Sequence, residues 1–476
     1  MEKRVTFQRV LLINPPTGLY IREDRCQWPV DGLSATSIRP PLDLAYAAAV
    51  LRSRGKECTI RDYPVEGGGW DALREDIKSL EPHMLLVSAT SPTINQDLKA
   101  AAVLKEMLPA SFAVAKGAHF FIHDYGSLEK FSDLDAVIRG EVEPVMDKMA
   151  EGVPWSRIAG LTYRSSGKIH RNPEQSYLSD LDAIPFPARD LLRNGLYTRP
   201  DTAAPQTTLQ TNRGCPSDCV YCLAGRASGK KIRSRSPENI AEEIEICLKE
   251  FGIRNFFFRA DTFTWNKSWT IDVCREIIDR KLDVAWVCNS RVDTIDAERL
   301  SWMKRAGCWL ISFGVESGNQ EVLDRMKKGT RVADAKRALK LCREAGIKSY
   351  AFFVIGLPWE NRETLLETAR YSRQLDADFA EFSFAVPFPG SELYDIAIRE
   401  KLMEENALDF FNNEEPVIRT FYLEKDELVA LRKTALRGFY FRPRYILRTL
   451  GKLRSPGEAY RYVRFGLEKA RGMLLK

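Results

Sequence analysis

Short apolar runs alternate with amphipathic helical stretches twice along this chain, from residue 10 to about 149 and again from 207 to about 401. That rhythm restricts the fold more than any other feature, because strands joined by crossover helices close a core only when they lie parallel with helices packed on the sheet. In the first stretch strands are expected at 10–13, 58–62, 84–88, 112–115 and 136–138, with helices at 42–54, 71–80, 95–107 and 143–150. In the second, strands at 207–211, 255–258, 284–287, 310–313, 349–355 and 380–384 predict a partial (β/α)6 barrel whose strand ends share one rim. The chain therefore reads as α/β: a Rossmann-like sheet over 1–150, a hairpin and linker over 151–204, a TIM-like barrel core over 205–409 and a small helical C-terminal domain over 410–476. The hairpin pairs 161–164 with 168–170, and the proline-dense run 181–187 marks the boundary after it.

Directly after the first barrel strand stands Gly-Cys-Pro-Ser-Asp-Cys-Val-Tyr-Cys, with thiols at Cys215, Cys219 and Cys222. Three thiolates on one short loop hold three corners of a [4Fe-4S] cluster and leave the fourth iron open. A zinc ribbon needs a fourth ligand nearby and two-residue pairs at both ends of the site, and neither is present. Three unrelated core cysteines are the plainer alternative. The Gly-Cys-Pro opening speaks against it, since proline removes a donor and restricts its neighbour, which makes this a loop. Cys26, Cys58, Cys247, Cys274, Cys288, Cys308 and Cys342 lack close partners in sequence and read as core or incidental.

The spacing, with Tyr221 before the third cysteine, resembles the radical S-adenosylmethionine superfamily. The resemblance implies that the open iron chelates the amino and carboxylate groups of S-adenosylmethionine, whose reductive cleavage gives a 5′-deoxyadenosyl radical. It also implies cofactor contacts at strand ends. Tyr221 would lie near the adenine, Arg291 would suit the carboxylate or ribose, and Glu316 and Ser317 in Gly-Val-Glu-Ser-Gly would contact the cofactor. Asp261 would line the site, and Gly356 in Gly-Leu-Pro would let backbone approach the adenine. The bland alternatives are an N-cap at Asp261, a cap of 320–326 by Glu316 or Ser317, and a surface ion pair at Arg291. Further likeness lies in Met326-Lys327-Lys328-Gly329, in 386–391 and in 234–240.

The turns that end four of the first five strands are similar to those of the cobalamin-binding domain in one branch of that superfamily. Asn14-Pro15-Pro16, Ser88-Ala89-Thr90, Lys116-Gly117-Ala118-His119 and Arg139-Gly140-Glu141 carry the likeness. It implies cobalamin contacts at Asn14, Pro15, Ser88, Thr90, Gly117, His119, Gly140 and Glu141. The Asp-x-His-x-x-Gly motif whose histidine ligates cobalt elsewhere is absent. A bare nucleotide-binding or vestigial Rossmann-like domain is the alternative. The overall likeness is to the group that includes Mg-protoporphyrin ester cyclase and the phosphonate and hopanoid methylases.

Charge completes the reading. The net +6 conceals thirteen Lys or Arg against two Glu over residues 431–476, with aromatic residues interleaved. Such a tail suits peripheral contact with an anionic membrane, and with it a lipid or polyisoprenoid substrate. A solvated helical face packing its aromatics on the barrel is the simpler alternative. Nucleic acid is set aside, because the second cysteine set and β-barrel domain of RNA-methylthiolating relatives are not visible. The apolar run at 10–13 is too short for a signal core or a membrane span, so a cytoplasmic protein is expected. Three functions stay open: radical methylation of an unactivated carbon with cobalamin, radical cyclisation, ring contraction or rearrangement, and a cobalamin- or redox-responsive binding protein. Either enzyme would take a small-molecule substrate and an electron donor such as flavodoxin or ferredoxin.

Overall fold

The computed structural model describes residues 6–30, 38–199, 201–404, 407–409, 411–412 and 414–450, without the side chains of 26, 449 and 450. The first half is built on β1 (Arg9–Asn14), a hairpin of β2 (Tyr20–Glu23) and β3 (Cys26–Pro29), β4 (Glu57–Asp62), β5 (Met84–Ser88), β6 (Phe112–Lys116), β7 (Ala136–Ile138), β8 (Leu161–Ser165) and β9 (Lys168–Arg171). Seven of these strands form one sheet in the order β4-β1-β5-β6-β7-β8-β9. The pairs through β7 are parallel, and β8 and β9 add antiparallel. Alternate β1 residues feed opposite faces: Val10 and Leu12 join one apolar cluster, Leu11 and Ile13 the other. A sheet buried on both faces must read as continuous apolar runs, as β1 and β5 do.

The strand order reverses between β1 and β5, which is where doubly wound sheets take their ligands. The expected hairpin forms, but it extends this sheet rather than standing in a linker. Two features have no counterpart in the expected elements. The hairpin β2–β3 was hidden because its turn residues, Asp24 and Arg25, carry no glycine or asparagine. The helix Phe120–Lys130 was hidden because Gly126 and the non-helical backbone at His123 interrupt its pattern. The helix expected at 95–107 runs instead as Ile94–Asp97 and Lys99–Met107.

The second half is a six-stranded parallel sheet of β10 (Gln206–Gln210), β13 (Asn255–Arg259), β14 (Ala285–Arg291), β15 (Cys308–Glu316), β16 (Lys348–Ile355) and β17 (Phe379–Phe384), in chain order. Between the first two lie β11 (Asn212–Arg213) and β12 (Arg233–Ser234), a two-residue antiparallel ladder. Sequential parallel strands give an open barrel wall, as expected. Its outer strands are capped by side chains. Arg189 donates to the Thr208 carbonyl of β10 at 2.7 Å, while the Tyr440 hydroxyl donates to the Ala380 carbonyl of β17 at 2.7 Å and accepts from its N–H at 3.1 Å.

Tyr440 ends the helix Lys425–Tyr440, which was expected in an appended domain. Leu428, Leu431, Ala435, Leu436 and Phe439 of that helix instead bury in the barrel core. In the next helix, Pro443–Leu450, Tyr445 donates to the Asp378 carbonyl at 3.0 Å, and Arg448 bonds the Asp376 and Ala377 carbonyls at the end of Arg362–Leu375. These described aromatics pack on the barrel. The rest of the helical C-terminal domain expected over 410–476, from residue 451 onward, lies outside the described residues. Among the described residues no helix is long and apolar enough to cross a membrane.

Candidate active site

The cysteine loop is a clasp. Its ends are joined by the β11–β12 ladder, where Arg213 faces Arg233, and Gly214 opens it at φ 101°. A Cβ on Gly214 would stand 2.1 Å from the Lys231 carbonyl oxygen, so only glycine turns the chain here. Cys215 N–H then donates to Gly229 at 3.0 Å, and Val220 is held on both sides, by the Met326 carbonyl at 3.1 Å and the Leu393 N–H at 2.8 Å. The three thiols are free, with Cys222 exposed and its sulfur accepting from Ala224 N–H at 3.4 Å. Burial pushes the Cys219 thiol above its usual range. Metal binding at such a loop therefore releases protons.

Three of the expected strand-end residues meet this loop. Asp261 accepts from Gly214 N–H at 2.8 Å; it is not a helix cap, a role Asn266 fills for Lys267–Asp279. Arg291 forks onto Asp293 at 2.8 and 3.0 Å, and donates to Ser217 of the loop at 2.9 Å and to the Lys328 carbonyl at 3.0 Å. Glu316 closes β15 at φ 67°, in the left-handed region and beside a register shift. A bulky residue held there stores strain, a condition concentrated at functional sites. Its carboxylate pairs with Lys328 at 2.6 Å, both side chains being buried. Burial pulls the Lys328 ammonium down, but Glu316 and Cys219 together more than reverse this and set it above its usual range. Burial and Glu316 together push the Tyr221 hydroxyl well up. Lys328 joins the site with no earlier assignment of a role; its motif was visible, but not the partner twelve residues away.

The other two expected residues turn elsewhere. Ser317 is fully buried and bonds Thr368 at 3.0 Å and Asn319 N–H at 3.1 Å, while Asn319 itself caps Gln320–Arg325. Gly356, at φ 82°, lies against Leu428. Beyond it Glu360 is fully buried, with one oxygen accepting from Leu357 N–H at 3.0 Å and the other without a partner. Burial raises its pKa to about 8.

At the first sheet, Asn14 donates to Asp62 at 3.1 Å and leaves its own oxygen buried and unpartnered. Pro15 accepts from Thr17 N–H at 2.8 Å. The hairpin β2–β3 crosses the switch point: Arg22 bonds the Ser88 carbonyl at 2.9 Å and Asp97 at 2.7 Å, and Gln27 accepts from the Thr90 hydroxyl at 2.9 Å and Ser91 N–H at 2.6 Å. Gly117 is obligatory, since a Cβ would stand 2.1 Å from the Ala89 carbonyl oxygen. His119 lies 3.4 Å from the Ser91 hydroxyl, and burial lowers its pKa to about 3, which keeps the imidazole neutral. Gly140 lies under the Gln175 carboxamide. Glu141 faces the barrel, pairing with Arg213 at 3.1 Å and Arg233 at 2.9 Å, and Glu143 also pairs with Arg213. These arginines overcome the cost of burial and hold Glu141 below the usual carboxylate range.

A cleft of about 470 Å³ opens between the two halves, with Phe121 and Gly140 on one side and Cys219, Cys222 and Arg226 on the other. The residues fit the implied groups. Cys215, Cys219 and Cys222 are free thiols on one short loop, the donor set of a cube that takes one thiolate on each of three irons. Buried charges of both signs at Glu316 and Arg291 suit the amino and carboxylate ends of an amino-acid moiety. The orphaned Asn14 oxygen suits an amide-bearing ligand at the switch point.

Comparison with known proteins agrees with this geometry. Residues 209–372 match the model of the radical SAM superfamily, and residues 29–150 that of the B12 binding domain. An uncharacterised methyltransferase of Pyrococcus horikoshii is 30% identical over 93% of this chain and 94% of its own length. The anaerobic magnesium-protoporphyrin IX monomethyl ester cyclase of Rubrivivax gelatinosus is 28% identical over 86% of this chain and 75% of its own. Among solved structures, the radical S-adenosylmethionine methyltransferase TsrM of Kitasatospora setae, with cobalamin and [4Fe-4S] cluster bound, superposes with TM-score 0.67 at 20% identity. That match covers 83% of this chain and 78% of TsrM and shows a shared fold.

Proposed function

Because this chain belongs to the radical S-adenosylmethionine enzymes that carry a cobalamin-binding domain, we propose that it methylates an unactivated carbon of a small-molecule substrate in the cleft between its two halves. The observation that carries this reading is the cleft itself, which brings the end of β7 at Gly140 against Cys219 and Cys222. The family's cofactors are a [4Fe-4S] cluster, S-adenosylmethionine and cobalamin; when bound they supply a carbon-centred radical and a methyl group. The chain's own part is to bind and orient them. Cys215, Cys219 and Cys222 hold the cluster, and Tyr221, Asp261, Arg291, Glu316, Ser317 and Gly356 frame the S-adenosylmethionine side, the last two by fixing backbone rather than by reaching the cofactor. Asn14, Pro15, Ser88, Thr90, Gly117, His119, Gly140 and Glu141 shape the cobalamin side, where Glu141 acts by docking the halves together.

This reading includes a cytoplasmic enzyme reduced by a flavodoxin- or ferredoxin-type donor. It also includes a lipid or polyisoprenoid substrate met at an anionic membrane, supported by exposed Phe441, Ile446 and Leu447 beside Arg444. Anaerobically reconstituted protein, given S-adenosylmethionine and a strong reductant, is expected to release 5′-deoxyadenosine and to yield a product heavier by one methyl group. An unchanged product mass, or loss of hydrogen, favours cyclisation or rearrangement, a second reading supported by the cyclase among the relatives. Absence of the nucleoside would leave only a binding protein.

A further inference from the structure

Asp24 and Arg25 form the turn of the β2–β3 hairpin, and the guanidinium of Arg25 reaches from the first half of the molecule into the second. It donates to the Ala260 carbonyl at 2.6 Å and pairs with the Asp261 carboxylate at 3.3 Å. It also pairs with Glu23 at 3.6 Å. The Asp261 side chain is nearly sealed from water, 4% exposed, and its second oxygen accepts from Gly214 N–H at 2.8 Å, one residue before the first cluster cysteine. Gly214 is already in a conformation open only to glycine, so the amide held by Asp261 is what fixes the direction in which Cys215 leaves the ladder.

A cation beside a buried carboxylate holds that carboxylate in its aim. The same hairpin grips the turns of the first sheet through Arg22 and Gln27. One small element therefore touches both the Ser88–Thr90 turn and, through two side chains, the root of the cysteine loop.

We propose that Arg25 is a positioning residue for the cluster loop, acting through Asp261 on Gly214, so that the first domain sets the geometry in which Cys215 presents its thiolate. This rests on the radical reading above, yet its primary test needs no cofactor. In the metal-free protein, amide hydrogen exchange over residues 212–216 is compared in the wild type, Arg25→Met, Arg25→Lys, Asp261→Asn and the double variant Arg25→Met/Asp261→Asn. Exchange at Gly214 is expected to quicken at least tenfold in Arg25→Met, to be partly restored in Arg25→Lys, and to be no faster in the double variant than in the faster single one.

A second readout is the electron paramagnetic resonance spectrum of the reduced cluster with and without S-adenosylmethionine, which should differ between wild type and Arg25→Met. Unaltered exchange at Gly214 overturns the proposal, as does an acceleration spread evenly over β10 and β13, which would report general loosening. Failure of methylation alone does neither, and bears on the proposed function instead.

Discussion

Glu316 and Lys328 show how much of the site rests on single contacts. Removing one partner of a buried pair strands the other, typically at about 3–5 kcal/mol, while replacing both is far milder. Lys328→Met is therefore expected to lower the urea midpoint more than Glu316→Gln/Lys328→Met does, and denaturant titration of the metal-free proteins decides it. Glu360 gives a pH signature. Its folded pKa of about 8 exceeds the ordinary 4.5, so the native state holds the extra proton. The contribution is full below pH 4.5 and is lost as pH rises through 8. Melting temperatures of wild type should fall over that window, and Glu360→Gln should flatten the fall. Residue-scale legibility followed sequence distance. Cys215, Cys219 and Cys222 were readable because eight contiguous residues hold the whole donor set, whereas Arg25 and Asp261 are 236 residues apart and neither lies in a pattern that names the other.

At the scale of elements, the periodicity predicted every strand of both large sheets, because buried parallel strands must be apolar runs. It could not reveal where β8 and β9 attach, since an alternating hairpin looks the same whether it joins a sheet or stands alone. Nor could it show that Lys425–Tyr440 closes the barrel: its apolar face requires some partner, and the partner is set by the unpaired edge of β17. That edge supplies a test. Tyr440→Phe keeps the ring and deletes the hydroxyl that bridges Ala380, so a loss of about 0.5–1.5 kcal/mol is expected, with faster exchange at the Ala380 amide. Near the last described helix, Arg442 and Arg448 are similarly engaged with Asp376, while Arg444 reaches it at 3.6 Å with its side chain 84% exposed. The proposed membrane contact would therefore fall to Arg444 with Phe441, Ile446 and Leu447. Vesicles containing anionic lipid should retain the protein more than neutral ones, and Leu447→Glu should weaken that retention.

Over the whole molecule, the two halves are joined by charge as well as by a shared apolar cluster in which Ala118 and Phe121 pack with Val220, Leu223 and Phe388. Glu141 and Glu143 hold Arg213, Glu141 also holds Arg233, and Asp43 bridges Lys116 at 2.9 Å to Arg259 at 2.7 Å. Glu23, in the same network, has its pKa lowered to about 2 by Arg259, Arg39 and Arg25 against the cost of burial. Depressed carboxylates stabilise above their ordinary pKa of 4.5 and lose that contribution as pH falls toward 2. The interface should accordingly loosen in acid before either sheet melts, a sequence that scattering and circular dichroism can separate.

The proposed function requires one chain to carry a radical-generating cluster and cobalamin on facing walls of the same cleft. Iron, sulfide and cobalt analysis of anaerobically reconstituted protein tests it most directly, with the triple replacement of Cys215, Cys219 and Cys222 by Ala alongside. A four-iron cluster and bound cobalamin are expected in the intact chain, and loss of the cluster with cobalamin kept in the triple variant. An intact chain that retains no cobalamin, or a triple variant that keeps the same cluster, contradicts it.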